Sequence, residues 1–443
     1  MCSIEFINHA SFLYENDEFL FICDPWLEGG AFNDGWALLD KSTSNDQLVN
    51  RLSKIDKRLY IWYSHEHSDH FSISFLKKLK VARPDAIFFF QKTNDKRVTT
   101  FLKKNKFSCK VLNNGEKANL GSNSWLSIRS WKSGDSLCVM NFDEKKIINL
   151  NDCIISTEKD CEYLRNILNN LGVHSIDILF TQFGYASWCG NENEVDHRKN
   201  VADEKLKRIA YQIKVLSPKN TILFASFVFF ANEYNFYLND QQNTPLKIRK
   251  SNYLKNLQDQ IYFMKPRDKI YLDDKLTNVL ASKTQLAEDH WQYLYSKTKP
   301  NLNIDTRYSV DDLIKNLKVY KSKIFKNFVG IFTLIEMIGI IKPLKVKILD
   351  HKKILLLSYK NSPMIVKDSS SWDITMTSSD LMFSINNDFG FDCTHVNGRF
   401  RTNKTNSEKK FLYFSGPQNM LKNGFGWKKP IVTMKELLRL ALR

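Results

Sequence analysis

A chain of 443 residues can bury the cores of two or three domains, and 43% apolar with 26% charged residues is the balance of an ordinary globular protein. Its eight cysteines form no Cys-x-x-Cys pair, and a chain of this length needs no disulfide framework, so they read as reduced thiols packed as core filler, Cys153 beside Asp152 included. The net charge of +17 fits a Lys-rich solvated surface or an anionic substrate; basic pairs such as Lys77-Lys78, Lys103-Lys104 and Lys145-Lys146 are scattered, and no aromatic-basic motif of an RNA-binding sheet is present, so nucleic acid is not expected.

The N-terminal residues, Met1-Cys2-Ser3-Ile4-Glu5-Phe6, do not read as a secretory signal, and a cytoplasmic protein is expected. Ser3 to Ile7 and Phe19 to Cys23 read as strands, the second ending at Asp24-Pro25. The continuous apolar run Leu59 to Tyr63 reads as a buried strand that delivers the segment after it to a loop. A helix is predicted from Ser72 to Leu79, then strands at Ala86 to Phe90, Lys146 to Leu150, Ile176 to Thr181 and Thr221 to Phe230, with a charged helix from Val201 to Val215. Ile261 to Asp274 reads as the tail of this region, and the mixture of strands and interspersed helices is that of a layered α/β sandwich. The expected organisation is a catalytic domain at 1–276, a linker at 277–299 and a smaller α+β domain at 300–443. In that last region Val310 to Ile335 is helical, and Val346 to Tyr359 with Pro363 to Val366 form hairpin strands. The apolar run Phe328 to Ile341, which contains Glu336, is too short to cross a bilayer and reads as a buried helix or the wall of a lipid-like tunnel.

The strongest chemical signal is Ser64-His65-Glu66-His67-Ser68-Asp69-His70. Imidazoles and carboxylate gathered this densely suit a divalent cation, chiefly zinc, iron or manganese. A loop leaving a buried strand can turn His65 and His67 toward one ion and Asp69 and His70 toward a second, and helix onset near Ser72 fixes the last of them.

This segment resembles the metal-binding signature of the metallo-β-lactamase superfamily. Asn8-His9-Ala10-Ser11-Phe12 and Asp24-Pro25-Trp26-Leu27 are similar to the N-terminal pattern of its lactonase and phospholipase-D-like branch. The run from Asp24 to Leu39, Leu76-Lys77-Lys78-Leu79 with Arg83-Pro84-Asp85, and Lys146 to Cys153 resemble the metallo domain of the CMP-N-acetylneuraminate hydroxylases. The resemblance covers residues 4–275. It implies a four-layer αββα sandwich with one or two divalent ions, His65 and His67 on the first, Asp69 and His70 on the second, and Asp152 bridging both. Two expected histidines are missing: the stretch Trp131-Lys132-Ser133-Gly134-Asp135 and the stretch Ala225-Ser226-Phe227 contain none. Asp135 and His197 are the candidate replacements, His197 also reading as an exposed loop residue, and His174 as a helix cap. The hydroxylases carry a Rieske cluster, whose paired Cys and His ligands are not found before the metallo region, so oxygen chemistry here would need electrons from elsewhere. His9 reads as a site-side or structural turn residue, and Trp26, Phe32 and Trp36 as pocket wall or core. Asn387 to Asp392 and Thr394 to Phe400 are similar to a sterol-carrier-like module, with Asn397-Gly398 first a turn signal.

The leading expectation is a hydrolase acting on an anionic phosphoester, lactone or thioester through a metal-activated water, with Asp69 orienting the water and Lys132 offering a cation. The alternatives are an iron-dependent oxygenase of a sugar-nucleotide-like or biosynthetic intermediate and a binding protein with a decayed site. Oligomeric state is not legible.

Overall fold

The computed structural model describes residues 2–131, 134–302, 305–366, 371–404, 406–427, 429–431 and 433. Strands β1 (Ser3–Asn8), β2 (Ser11–Glu15), β3 (Phe19–Cys23) and β4 (Trp36–Leu38) come first, then α1 (Asn45–Ser53), β5 (Arg58–Trp62), α2 (Ile73–Ala82), β6 (Ile87–Gln91), α3 (Arg97–Lys104) and β7 (Ser108–Leu112). They are followed by β8 (Lys117–Gly121), β9 (Ser124–Ser130), β10 (Ser136–Phe142), β11 (Lys145–Asn149), α4 (Glu158–Asn170), β12 (Ile178–Gln182), α5 (Val195–Leu216), β13 (Asn220–Phe224) and β14 (Val228–Phe230). Helix α6 (Pro245–Arg249), β15 (Ile261–Tyr262), β16 (Lys269–Tyr271) and α7 (Leu276–Lys297) close the first region.

Two seven-stranded sheets face each other, ordered β16-β1-β2-β3-β5-β6-β7 and β15-β13-β12-β11-β10-β9-β8. Each has antiparallel hairpins on one side and a parallel run on the other, β3-β5-β6-β7 and β11-β12-β13-β15. Aromatic residues fill the space between them: Phe12 stacks on Phe180 at 4.7 Å and Phe21 meets Phe142 edge-on at 5.2 Å. The outer face of the first sheet packs Leu20, Ile61 and Phe88 against Leu48, Leu52, Phe75 and Leu79 of α1 and α2. That of the second packs Val139, Ile148 and Leu179 against Leu164 and Leu168 of α4. The result is the expected four-layer αββα sandwich.

Parallel strands are buried on both faces, so their sequences are continuously apolar and chemistry is left to the loops at their carboxyl ends. Three such corners, after β3, β11 and β13, and the hairpin corner after β1 hold a non-glycine residue in the left-handed region: Asp24 (φ 38°), Asn151 (φ 48°), Ala225 (φ 53°) and His9 (φ 42°). Each conformation costs on the order of 1–3 kcal/mol and persists only where the surroundings enforce it.

The remaining chain forms α8 (Val310–Phe328), α9 (Ile331–Met337), β17 (Leu344–Ile348), β18 (Lys353–Leu357), β19 (Met364–Ile365), β20 (Ile374–Met376), α10 (Ser378–Asn386), α11 (Gly390–Asn397), β21 (Arg401–Thr402) and α12 (Ser407–Lys422). Its sheet, β19-β18-β17-β20-β21, is covered by these helices. The core is shared: Trp26, Phe32, Trp36 and Trp188 lie in one apolar cluster with Leu317, Phe391 and Phe400, and Trp188 stacks on Phe400 at 5.0 Å.

Four expectations are corrected. The stretch 277–299, expected as a linker, is mostly helix α7, whose Leu280, Ala287 and Trp291 are fully buried in the inter-sheet core. The predicted strand Thr221 to Phe230 is two strands, broken at Ala225, and β14 leaves the main sheet to pair with β4. The run Phe328 to Ile341 is not a plain buried helix: Val329 and Gly330 are both left-handed and start a new helix, α9, on which Leu334 and Met337 are 58% and 59% exposed. Its Glu336 is buried, accepting hydrogen bonds from the Tyr359 amide (2.6 Å) and the Ser358 hydroxyl. Gly398 serves as the left-handed cap of α11, not as a hairpin turn. Among the described residues no helix is long and apolar enough to cross a membrane.

Candidate metal centre

The register of β3 against β5 sets Cys23 beside Trp62, so the loops that follow them start side by side. Asp24, buried at the first corner, accepts hydrogen bonds from the Ser64 amide (2.9 Å) and the Ser64 hydroxyl (2.6 Å), from the Asn151 side-chain amide, and from His70 Nδ1 (3.0 Å). One carboxylate thereby ties the histidine loop to the end of β11. The Ser64 carbonyl is held in turn by Ser136 Oγ (2.6 Å) and Gln91 Nε2 (3.2 Å). Ser72, accepting from the Phe75 amide at 3.3 Å, caps α2 and ends the loop.

With Nδ1 committed to Asp24, His70 aims Nε2 at Asp69 Oδ2 (3.3 Å) and Asp152 Oδ2 (3.4 Å). Two groups of donors converge on it: His65, His70 and Asp152, and His9, Asp69 and His70, the donor atoms of each lying within 4.8 Å of one another. His65 Nε2 stands 3.9 Å from both Asp152 and Asp135, and 2.9 Å from His67 Nδ1. Burial and the neighbouring imidazoles His70 and His67 push the His65 pKa down. Burial opposes charge on His70 as well, but Asp69, Asp152 and Asp24 outweigh it and hold that pKa well above the usual range. Asp152 resists burial through His70 and His65, and its pKa falls to about 2. Charge is therefore arranged as in a cation site, with acidic groups ionised around clustered imidazoles.

The donors fit a metal on a second count. His9 Nδ1 and Nε2, Asp69 Oδ1 and His70 Nε2 are buried without a hydrogen bond, although such atoms ordinarily find partners. An ion would satisfy Asp69, His70 and one nitrogen of His9 together. Asp24 behind His70 is the carboxylate–histidine arrangement that orients metal-ligating imidazoles.

The expected residues distribute as follows. His65, Asp69, His70 and Asp152 come together. His67 faces His65 but joins neither group of three; half-buried at the mouth, it meets the Phe32 ring edge-on at 5.3 Å. Asp135 stands where it can replace a missing histidine. His197 does not: it is exposed on the first turn of α5, which starts six residues earlier than its apolar pattern suggests. His174 is exposed too. Lys132 lies outside the described residues. Cys153 is buried in the core around α4, where burial pushes its thiol pKa well up. Sequence reasoning undervalued His9 and overlooked Asp24 as an anchor. Ala225 holds one of the left-handed corners with no ligating side chain, and its amide donates to the His9 carbonyl at 2.8 Å.

The C-terminal region borders the mouth. Glu66 pairs with Arg97 of α3 (3.3 Å) and Lys422 of α12 (3.7 Å), both cations lying over the Phe389 ring. Arg97 and Lys422 also line a cleft of about 620 Å³ between the two regions. Asn397 donates to the Phe32 carbonyl at 3.0 Å, bracing the segment packed on His67.

Four layers, two mixed sheets and a His/Asp cluster at the strand ends decide the architecture. The chain has the metallo-β-lactamase fold. No family model matches it. In sequence it is similar to the cytidine monophosphate-N-acetylneuraminic acid hydroxylases. It is 44% identical to that of Sus scrofa over 72 residues, 16% of this chain and 15% of the relative. It is 25% identical to that of Danio rerio over 266 residues, 56% of this chain and 42% of the relative. The chain thus matches less than half the length of these relatives. Solved structures to which the chain is similar include CmlA, a diiron β-hydroxylase from Streptomyces venezuelae (TM-score 0.41, 13% identity, 61% of this chain and 54% of that one). Another is an isothiocyanate hydrolase from Delia radicum gut bacteria (TM-score 0.41, 14% identity, 61% and 99%).

Proposed function

We propose that the protein is a metal-dependent hydrolase acting on an anionic small molecule, its metal held by His70 Nε2 together with His65 and Asp152 or with His9 and Asp69, and with His67 and Asp135 beside them. The observation that supports this reading is the cluster of buried donor atoms around His70, several of them without a hydrogen bond. A divalent ion bound there supplies Lewis acidity, making water a nucleophile near neutral pH and polarising a phosphoryl or carbonyl oxygen. Asp69, whose Oδ1 makes no hydrogen bond, would orient the attacking water. Asp24 keeps the His70 ring from turning. The Phe32–Trp36 segment and the C-terminal region shield the mouth from bulk water, and the adjoining cleft gives room for the rest of the substrate. Metal-loaded protein is expected to turn over at least one class among phosphodiesters, lactones and thioesters, with His65→Ala abolishing turnover while circular dichroism stays native. Equal turnover by that variant would remove the reading.

A second reading, iron-dependent hydroxylation, is favoured by one specific feature. His65, His70 and Asp152 are two histidines and one carboxylate, the donor set used by non-haem iron, and the curated relatives are named hydroxylases. Elemental analysis separates the two: bound zinc without oxygen uptake supports hydrolysis, bound iron with oxygen uptake supports hydroxylation.

A further inference from the structure

Lys205 and Arg208 stand three residues apart on α5, on one face of the helix. Both are half-buried. Lys205 Nζ lies 2.9 Å from Gln182 Oε1, and Gln182 Nε2 donates to Asp152 Oδ1 at 3.1 Å, so one side chain separates this lysine from the metal centre. Arg208 makes no hydrogen bond and no ion pair among the described residues, and its Nε is shielded from solvent. The charges that act on it are those of Asp152, Asp160 and Glu204. A shielded guanidinium donor left unpaired costs about 1–3 kcal/mol.

Among the described residues, the cations at the mouth are already matched. Arg97 is paired with Asp95 and Glu66, and Lys422 with Asp392 and Glu66. Among the described residues, Lys205 and Arg208 are a pair beside the metal centre with no carboxylate in ion-pair contact. We propose that they form the subsite for a phosphate group of the substrate, holding it next to Asp152. This rests on the reading of the centre as an anionic-substrate site and names the anion. The guanidinium fork, beside a lysine that a bound dianion would hold protonated, matches a tetrahedral dianion better than a lone carboxylate.

The test is inorganic phosphate binding by isothermal titration calorimetry, on the protein as purified and after chelation of its metal. Wild type, Lys205→Gln, Arg208→Gln and the cleft variant Lys323→Gln are compared, with metal content and thermal midpoint measured for each. A single site is expected, weakened about tenfold by either α5 substitution, as befits a lost charge-assisted hydrogen bond, and unaffected by Lys323→Gln. The α5 variants should keep the wild-type metal content and midpoint, and acetate should bind at least tenfold more weakly than phosphate. The subsite is refuted if phosphate does not bind, if both α5 variants bind it like wild type, if only Lys323→Gln weakens it, or if acetate competes equally. Because chelated protein reads Lys205 and Arg208 alone, a wild type that never held metal would overturn the hydrolase reading while phosphate loss in the α5 variants still upheld the subsite.

Discussion

The sandwich and the C-terminal region solve different physical problems. In the sandwich, apolar strands buried on both faces leave the strand ends as the only places for polar chemistry, and four strained corners put His9, Asp24, Asn151 and Ala225 around one point. Among its described residues the C-terminal region has no such corner at the site. It contributes a seam: Phe389 beneath Arg97 and Lys422, Asn397 on the Phe32 carbonyl, Phe400 against Trp188. Rigid geometry comes from one region and enclosure from the other. Perturbing the first should change metal binding, and perturbing the second should change stability and access but not metal content.

The largest effect should come from Trp291 of α7, fully buried and stacked on Phe227 at 3.8 Å. Trp291→Ala is expected to cost about 3–5 kcal/mol, read as a lower urea midpoint. A loss under 1 kcal/mol would mean that 277–299 is a spacer after all. Next, Asp24→Asn keeps the shape but weakens the hold on His70; metal affinity should fall about 10–100-fold in a competition titration, and an unchanged affinity would break the distinction drawn for the sandwich. At the seam, Phe389→Ala removes the ring shared by two cations, and a loss of about 1–2 kcal/mol with unchanged metal stoichiometry is expected in thermal unfolding.

The smallest effect concerns pH. Burial and Arg208 bring the Lys205 pKa down from 10.5 to about 7, against Asp152, Cys189 and Asp135. Between pH 7 and 10.5 the unfolded chain keeps a proton that the folded chain has released, so this residue's contribution to stability rises with pH across that window. Lys205→Met should remove the rise, seen as a wild-type-minus-variant difference in urea midpoint that grows from pH 7 to 10. The half-buried position screens it, so the slope will be shallow.

The histidine loop was legible because its residue types are chemically conspicuous and directly follow an apolar strand; Asp152, at the end of β11, was legible for the same reason. His9 and Asp24 were not, because each reads locally as a turn residue, and only the sheet order β1-β2-β3-β5 brings them to the loop. Lys205 and Arg208 sit in a helix rich in charge, where spacing alone does not tell which cations turn inward. Helix α7 could have been read: Leu280, Thr284, Ala287 and Trp291 recur at spacings of one helical face. His197 misled because Val195 to Asn200 lacks the apolar pattern of the rest of α5 and resembles a loop.

The central claim is that the strand-end cluster holds divalent metal. Elemental analysis of protein purified anaerobically, beside His70→Ala prepared the same way, tests it most directly because His70 belongs to both donor groups. One to two equivalents of zinc, iron or manganese in the wild type, and almost none in the variant at native circular dichroism, is the predicted result. A folded wild type that carries no stoichiometric metal, and takes up none of these ions when they are supplied, would contradict it.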